Sequence, residues 1–441
     1  MPEPETVDLL IEPRWLLPIA PLNSALTGAA VAISAGRIVA VGPAAELRGR
    51  FRPLQRVLRE RHALLPGLVN AHTRACHTLL QGLPVRGPRA RWLSEVVAPL
   101  ERRALSADFV RDGTRLGIAA MLRAGITSFA DLAPLPAEAA RTAAAAQVRA
   151  LIGLPLSDAP TPWAEDASGH LAQAERLWDE YRDDPRLGLY FAPLPGQGLS
   201  DATLLRLRRV ADELDARIAV HAGELQGTTV LPAAVSDAAA AALADPALSL
   251  ERLQSLGLLR PGFAAIGAFG LSAAQRELLA RHGCALIACP QAELRLGAAP
   301  LTVLPQERCA LGSDSPAAAG GCDLLAEART AALCAGLRGA EALRLATLGG
   351  AQALGIAGEV GSIEPGKAAD LTCIELPGLP PAAGRDVAAA IVFGATRGEV
   401  SDVWTSGRAV VSEHRLSLFD ADELAALPGQ WAQRLALEAA A

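Results

Sequence analysis

The sequence predicts an α/β fold: a (β/α)8 barrel of the TIM type with a small β-sandwich domain that the N- and C-terminal segments form together. Two observations lead to this prediction. Eight apolar, strand-like runs alternate with helical stretches rich in Ala, Leu and Arg in the middle of the chain. Short strand-like runs lie at both ends. We expect a composite β-domain (1–62 and 357–425), the barrel (63–356) and a C-terminal helix or tail (426–441).

The first segment carries the strand-like runs VDLLI and AAVAISAGRIVAVG, the second with a turn at Ala35–Gly36, and then RVLRERHALLPG. This pattern predicts a small antiparallel sheet. The barrel strands are expected in LLPGLVNAH, ITSFADL, VRALIGLPL, LGLYFAPL, RIAVHAGE, FAAIGAF, CALIACP and CALGSDS. After the helix that ends near Leu354, strands return in GSIEPGKAADLTCIEL, AAAIVFGA and VSDVWTSGRAVVS. Both chain ends are therefore expected to meet in one β-domain.

Composition and charge exclude several classes of function. No stretch of about 18 apolar residues lacks charges or helix breakers, so no membrane span is expected. The net charge of −6, with no basic run, argues against nucleic acid as a partner. The N-terminus has no basic region followed by an apolar core, and the seven cysteines form no CxxC pair. We expect buried thiols and a cytoplasmic location.

Polar residues follow several of the predicted barrel strands. His72 ends the run LVNAH, His221 and Glu224 lie in VHAGE, and Asp314 lies in LGSDS. In a (β/α)8 barrel the catalytic groups lie at the C-terminal ends of the strands. These residues therefore mark the candidate site.

These motifs, with PTPWAEDA and EPGKAADL, resemble the aminohydrolase and chlorohydrolase branch of the metal-dependent amidohydrolases. They are most similar to the bacterial 5-methylthioadenosine/S-adenosylhomocysteine deaminases. The resemblance runs from about residue 5 to about residue 415. It implies a hydrolytic deaminase that acts on C–N bonds of cyclic amidines or aminopurines.

The resemblance also implies a set of site residues. In the family, one zinc is held by the two histidines of an HxH motif, a third histidine and an aspartate. His72, His221 and Asp314 match three of these ligands, and Glu224 matches the glutamate that shuttles the proton. Such a zinc lowers the pKa of its bound water to about 7 and supplies hydroxide at neutral pH. Glu224 and Asp314 are thus the catalytic candidates.

Four positions depart from the family pattern. Arg74 stands at the second histidine of HxH. Gly267, in FAAIGAF, stands at the histidine that ends the barrel strand after that of His221. Leu194 occupies the position of a substrate-facing histidine. Ala90 occupies that of a ribose-binding carboxylate, two residues before Trp92, an aromatic side chain that could stack on a flat ligand. Together these departures remove a ligand, an electrophile and two substrate contacts.

Arg74 decides the expectation about the metal. A guanidinium stays protonated and has no lone pair to give to zinc. If it points inward, it would lie beside Asp314 and Glu224, and its planar fork suits bidentate pairing with one of these carboxylates. Alternatively, it turns to solvent, and His72, His221 and Asp314 still hold a weak zinc. We favour the first alternative, with no tightly bound cofactor and zinc possible only at reduced affinity.

The other thiols and imidazoles near the site receive structural interpretations. Cys76 is expected to be a small buried side chain on the first turn of the next helix. His77 is expected to pack or to line the pocket, not to bind metal. The remaining histidines are expected in the β-domain or on helical surfaces: His62, His170, His282 and His414.

Three functional hypotheses stay open. The first is a non-catalytic or repurposed family member whose barrel mouth binds a small molecule or a partner subunit. The second is a zinc hydrolase with a changed, non-nucleoside substrate, in which Arg74 binds an anionic group. The third is a non-catalytic partner of an active paralogue. A homodimer is the expected assembly, because such barrels commonly pair in the family.

Overall fold

A computed structural model of the chain describes residues 4–20, 25–85, 87–194, 199–222, 248–305, 307–378 and 384–440. The strands are β1 (Glu5–Leu16), β2 (Leu26–Thr27), β3 (Ala29–Ser34), β4 (Arg37–Pro43), β5 (Phe51–Pro66), β6 (Leu68–Thr73), β7 (Ile126–Asp131), β8 (Arg149–Leu156), β9 (Leu187–Pro193), β10 (Arg217–His221), β11 (Phe263–Ile266), β12 (Ala285–Ala288), β13 (Cys309–Leu311), β14 (Leu371–Glu375), β15 (Val400–Thr405), β16 (Arg408–Ser412) and β17 (Arg415–Leu416).

The α-helices of the described residues are α1 (Ala44–Arg50), α2 (Arg89–Trp92), α3 (Ala98–Ala104), α4 (Ala107–Arg123), α5 (Pro136–Ala146), α6 (Ala167–Tyr181), α7 (Asp201–Glu213), α8 (Leu250–Ser255), α9 (Ala273–Arg281), α10 (Pro290–Arg295), α11 (Pro316–Ala319), α12 (Leu324–Ala335), α13 (Gly339–Arg344), α14 (Gly350–Leu354), α15 (Val387–Ala389) and α16 (Ala421–Ala440). A 3-10 helix, Ala75–Leu80, follows β6 directly.

The predicted barrel is confirmed. Strands β6 to β13 form an eight-stranded sheet in chain order, with every neighbouring pair parallel. A parallel bridge between Thr73 and Asp314 joins the first strand to the end of the last. All residues of β6, β7 and β8 are buried, as expected for strands that are covered on both faces.

The predicted β-domain built from both chain ends is also confirmed. Eight of its nine strands lie in one hydrogen-bonded path, β17-β16-β15-β14-β5-β1-β3-β4, and the ninth, β2, pairs with β1. Strand β14 from the C-terminal segment pairs antiparallel with residues His62–Pro66 of β5. β1 and β5 pair in parallel over most of their length. The two ends of the chain therefore share one sheet.

Buried polar contacts connect this sheet to the barrel. The Arg149 Nε atom at the start of β8 donates to Asp370 Oδ2 at 3.3 Å, and both side chains are buried. Asp370 Oδ1 accepts the Ser406 N–H at 2.7 Å. The Thr372 hydroxyl donates to the Gly125 carbonyl at 2.7 Å. These contacts hold the barrel and the β-domain against each other.

The C-terminal helix packs against the barrel helix α4. The Trp431 indole Nε1 donates to Asp112 Oδ2 at 3.0 Å, and its ring lies edge-on to Phe109 with 5.4 Å between centroids. All seven cysteines are free thiols, and six of them are buried, which confirms that part of the prediction. Among the described helices, none combines the length and apolarity needed to cross a bilayer.

Candidate functional site

The site lies where the barrel closes. The His72 carbonyl accepts the backbone N–H groups of Ser313 at 2.9 Å and Asp314 at 3.0 Å, and the Arg74 N–H donates to the Asp314 carbonyl at 3.3 Å. We call this junction of β6 with the segment after β13 the barrel seam. Asp314 has a left-handed backbone (φ 51°), which aspartate adopts more readily than most residues. The seam brings residues 72, 74 and 314 to the barrel mouth.

Gly312 makes the seam possible. A Cβ atom at this position would lie 2.8 Å from the His72 carbonyl oxygen and 3.0 Å from the Cys289 sulfur. Only a residue without a side chain allows β13 to approach β6 this closely.

Three residues that the resemblance assigned as ligands meet at this point. His72 Nε2 lies 3.6 Å from Asp314 Oδ1. The rings of His72 and His221 are edge-on, with 4.6 Å between centroids. All three side chains are buried at the ends of β6 and β10 and beyond β13. Glu224, the expected proton shuttle, lies outside the described residues.

Several polar atoms of this group lack hydrogen-bond partners in the described part of the chain. They include both ring nitrogens of His72 and Oδ1 of Asp314. Buried polar atoms without partners are costly, and those in native structures call for an explanation. No group of the described ranges therefore competes with a ligand for a hydrogen bond to these atoms.

Arg89, in the short helix α2, provides the cation that pairs with Asp314. Its Nη1 atom lies 2.5 Å from Asp314 Oδ2, and the Asp314 side chain is only 2% exposed. Burial opposes ionisation of Asp314, but the nearby Arg89 charge and His72 outweigh it and hold the pKa of Asp314 well below its usual value. The resemblance did not point to Arg89. In the sequence, the only hint of a role for Arg89 is its place next to Ala90, the position of the expected ribose-binding carboxylate.

Arg74 does not pair with Asp314, one of the two carboxylates that the sequence suggested, and the other, Glu224, lies outside the described residues. Among the described residues its guanidinium has no ion pair or hydrogen bond, and its Nε atom is fully buried. Its side chain is not fully turned out to solvent, since the residue is half-buried. Burial lowers the pKa of both His72 and His221, and Arg74 lowers each further.

Gly267 and Leu194 add no polar group to the mouth. Gly267 directly follows β11, whose Ile266 pairs with His221, and its φ of 95° favours glycine. Leu194 follows β9, is half-buried and donates its backbone N–H to the Leu156 carbonyl at 3.0 Å. The positions of the expected electrophile and the expected substrate contact are therefore apolar or without a side chain.

Trp92, which could have stacked on a ligand, and Trp163 of the PTPWAEDA motif are both buried. Trp92 is 1% exposed and packs in the barrel core. Trp163 lies edge-on to His170, with 5.5 Å between ring centroids, and so packs its loop. His170 was expected on a helical surface, but it is buried, and its Nε2 lies 3.2 Å from the Thr161 hydroxyl.

Cys76 and His77 have the packing roles that we expected. Cys76 is fully buried in the 3-10 helix after β6, and burial raises the pKa of its thiol. His77 Nδ1 lies 2.9 Å from the Ser315 hydroxyl, and its Nε2 lies 2.8 Å from Glu101 Oε1. His77 thus ties helix α3 to the segment that follows Asp314.

Two buried carboxyl groups near the mouth were not singled out from the sequence. Asp131 ends β7. Its Oδ1 accepts the Ala75 N–H at 2.7 Å, and its Oδ2 has no partner among the described residues. Glu293 accepts the N–H groups of Cys289 and Phe269 at 2.7 and 2.6 Å. Burial raises the pKa of each carboxyl to about 7.

The residues present do not fit the four-ligand zinc set that the resemblance implies. Arg74 stands where that set has a histidine, and Arg89 holds one oxygen of Asp314. Within the described ranges, no group of three or more His, Cys, Asp or Glu side chains is arranged to hold a metal ion.

Comparison with known proteins gives one family. Residues 63–410 match the model of the amidohydrolase family, and residues 29–52 match that of an imidazolonepropionase-like composite domain of bacteria.

The 5-methylthioadenosine/S-adenosylhomocysteine deaminase of Teredinibacter turnerae is 31% identical, over 98% of this chain and 98% of the relative. The enzyme of the same name from Saccharophagus degradans is 30% identical, over 96% of both chains. The crystal structure of an adenosine deaminase from Xanthomonas campestris, with bound zinc, superposes with a TM-score of 0.90. It is 36% identical and covers 98% of this chain and 100% of its own.

Proposed function

The chain belongs to the amidohydrolase family, and from this premise we propose that it is a deaminase-type member whose zinc-dependent reaction is lost or altered. Its barrel mouth then binds a small molecule without a tightly held metal. The observation that carries this proposal is the pairing of Asp314 with Arg89 beside a second guanidinium, that of Arg74, at a ligand position.

Electrostatics supports a site of low zinc affinity. A divalent cation at His72, His221 and Asp314 would meet the repulsion of Arg74 and would have to compete with Arg89 for Asp314. Arginine cannot act as a replacement ligand, because its guanidinium stays protonated. The guanidinium groups of Arg74 and Arg89 thus already provide, at this site, the positive charge that a zinc ion would supply.

The same substitutions weaken the deamination reaction itself. Without a zinc-bound water there is no hydroxide source at neutral pH, and Gly267 offers no side chain to stabilise the developing alkoxide. Each lost contribution is worth several kcal/mol of barrier, and about 1.4 kcal/mol is tenfold in rate. We expect negligible turnover of the substrates that are named for the relatives.

A working hydrolase with weakened zinc binding and a changed substrate is the second candidate. It is favoured by the buried atoms of His72 and Asp314 that have no partner in the described residues. Three protein ligands can suffice in a catalytic zinc site. We prefer the first candidate, because zinc binding in the second would have to break the ion pair between Arg89 and Asp314.

The assembly and location that we infer are a homodimer, or a complex with a paralogue, in the cytoplasm. The free and mostly buried thiols support a reducing compartment. A small molecule is the expected ligand in each case.

Elemental analysis after zinc loading and dialysis tests the proposal. We expect wild-type protein to retain well below about one zinc per chain. The double variant Arg74→His/Arg89→Gln, which restores a ligand and frees Asp314, should retain more. Arg91→His, an exposed change two residues from Arg89, is the matched control and should behave as wild type.

Ammonia release from 5-methylthioadenosine and S-adenosylhomocysteine is measured on the same preparations. Negligible turnover by the wild type is expected with and without added zinc. Stoichiometric zinc in the wild type, or turnover comparable to an ordinary enzyme, would overturn the proposal.

A further inference from the structure

We propose that the barrel mouth recognises a carboxylate group of its ligand through the guanidinium of Arg74, with the ring of His72 beside it. This inference rests on the proposed function, because a zinc ion at His72 would occupy the same space. It goes further by naming the chemical class of ligand that the site takes.

The backbone of Arg74 is anchored, and its charge has no partner within the part of the chain that the structure describes. The backbone N–H donates to the Asp314 carbonyl at 3.3 Å, so the residue is anchored to the barrel seam. The Nε–H group is fully buried and has no acceptor among the described residues, and no described carboxylate forms an ion pair with the guanidinium. A buried cationic donor without a partner is costly. An anion at the mouth removes that cost.

The described carboxyl groups around Arg74, those of Asp314, Glu101 and Asp131, are already engaged. Asp314 is paired with Arg89, and Glu101 is hydrogen-bonded to His77 at 2.8 Å. Asp131 accepts the Ala75 N–H, and burial holds much of this carboxyl in its neutral form near pH 7. The described groups therefore leave positive charge at the mouth.

The chemistry of the neighbouring donors favours a carboxylate. His72 lies near the end of β6 and Arg74 directly follows that strand, and the Arg74 charge lies near enough to lower the pKa of His72, so both groups belong to the barrel mouth. The guanidinium fork matches the planar geometry of a carboxylate, and both ring nitrogens of His72 are free of partners among the described residues. One positive charge balances one carboxylate charge, whereas a phosphate dianion would stay half uncompensated.

Benzoate and its neutral isostere benzamide are the probes that test this inference in wild-type protein. Binding is measured by isothermal titration calorimetry or ligand-detected NMR. We expect benzoate to bind at least about tenfold more tightly than benzamide, the advantage of a charge-assisted over a neutral contact. Inorganic phosphate, tested in parallel, should bind more weakly than benzoate. Equal binding of benzoate and benzamide, no binding of benzoate, or tighter binding of phosphate would overturn the inference.

Variants of Arg74 assign the effect to this residue. Arg74→Gln should weaken benzoate binding at least about tenfold and leave benzamide unchanged, and Arg74→Lys should retain part of the preference. Arg91→Gln, which removes an exposed arginine of the same helix as Arg89, should bind as wild type does. Thermal unfolding of each variant confirms that it is folded. Undiminished benzoate binding by folded Arg74→Gln would contradict the assignment.

The zinc content of the same samples separates this inference from the proposed function. Zinc-free protein that does not distinguish benzoate from benzamide overturns the carboxylate site alone. Stoichiometric zinc, with a benzoate preference that depends on Arg74, overturns the proposed function alone.

Discussion

At the scale of single residues, the Arg89–Asp314 pair dominates the site. The Asp314 side chain is 2% exposed and that of Arg89 is 18% exposed, so the pair is largely shielded from water. Removal of the cation leaves a buried carboxylate without compensation. We expect Arg89→Gln to lower the free energy of unfolding by about 3 kcal/mol, as measured by urea denaturation at pH 7.

Two comparisons isolate the cause of this loss. Arg91→Gln removes the neighbouring exposed pair with Glu95, whose side chains are 42% and 55% exposed, and should cost under about 1 kcal/mol. Arg89→Gln/Asp314→Asn should recover part of the loss, because no charge is left buried. An equal loss in the Arg89 and Arg91 variants would show that the pair is not what matters.

The sequence could identify some site residues and not others. His72, His221 and Asp314 follow apolar strands in recognisable motifs, and parallel strands bring such residues to one mouth. Arg89 reaches Asp314 across 225 positions, and no local pattern encodes such a pairing. The expectation that Arg74 alters the site stays a prediction, and the sequence could not tell which of the two arginines lies nearer to Asp314. That is a property of tertiary structure.

At the scale of elements, helix α4 packs closely against the 3-10 helix Ala75–Leu80, which directly follows the first barrel strand and Arg74. A Cβ atom on Gly113 of α4 would lie 2.3 Å from the Cys76 carbonyl oxygen. We expect Gly113→Ala to destabilise the protein by about 1–3 kcal/mol through overpacking. Gly429→Ala is the matched control, since it lies in α16 with no atom within 4 Å of the added Cβ. It should be neutral or stabilising by up to about 1 kcal/mol. Thermal unfolding of both variants checks the expectation, and similar losses would refute the role of close packing.

The barrel strands were largely predictable, because buried parallel strands appear as continuous apolar runs. The strand predicted in AAAIVFGA was wrong, because Val387–Ala389 form α15 and Ala390–Gly394 continue it as a π-helix. The extent of β5 was not predictable either. It runs from Phe51 to Pro66, across the predicted domain boundary at residues 62 and 63, and pairs in parallel with β1. The length of a strand depends on the strands it pairs with. The local alternation of apolar and polar residues does not show which distant segments become those partners.

At the scale of the whole molecule, the buried carboxyls make stability depend on pH. Burial raises the pKa of Asp131 from 3.8 and of Glu293 from 4.5 to about 7 in each case. The folded state then binds more protons than the unfolded state between about pH 4 and 7. Their contribution to stability is therefore lost as pH rises through this window, and it is constant above it.

The variant Asp131→Asn isolates one of these groups, because the amide oxygen can still accept the Ala75 N–H. We expect its stability relative to wild type to increase as pH rises from about 4 to 7, by about 1 kcal/mol or more, since one pKa unit corresponds to about 1.4 kcal/mol. Urea denaturation at pH 5 and pH 8 measures the difference. A constant offset between the two proteins would contradict a buried, titrating Asp131.

The barrel seam has a consequence for the history of the chain. The hydrogen bonds that close it between His72, Arg74, Ser313 and Asp314 join backbone atoms. An exchange of a side chain at these positions leaves those closing bonds intact. Under the proposed loss of zinc chemistry, a single substitution would thus have removed a catalytic ligand from an ancestral enzyme without opening its barrel. The folded scaffold would then have remained for selection to use for another purpose.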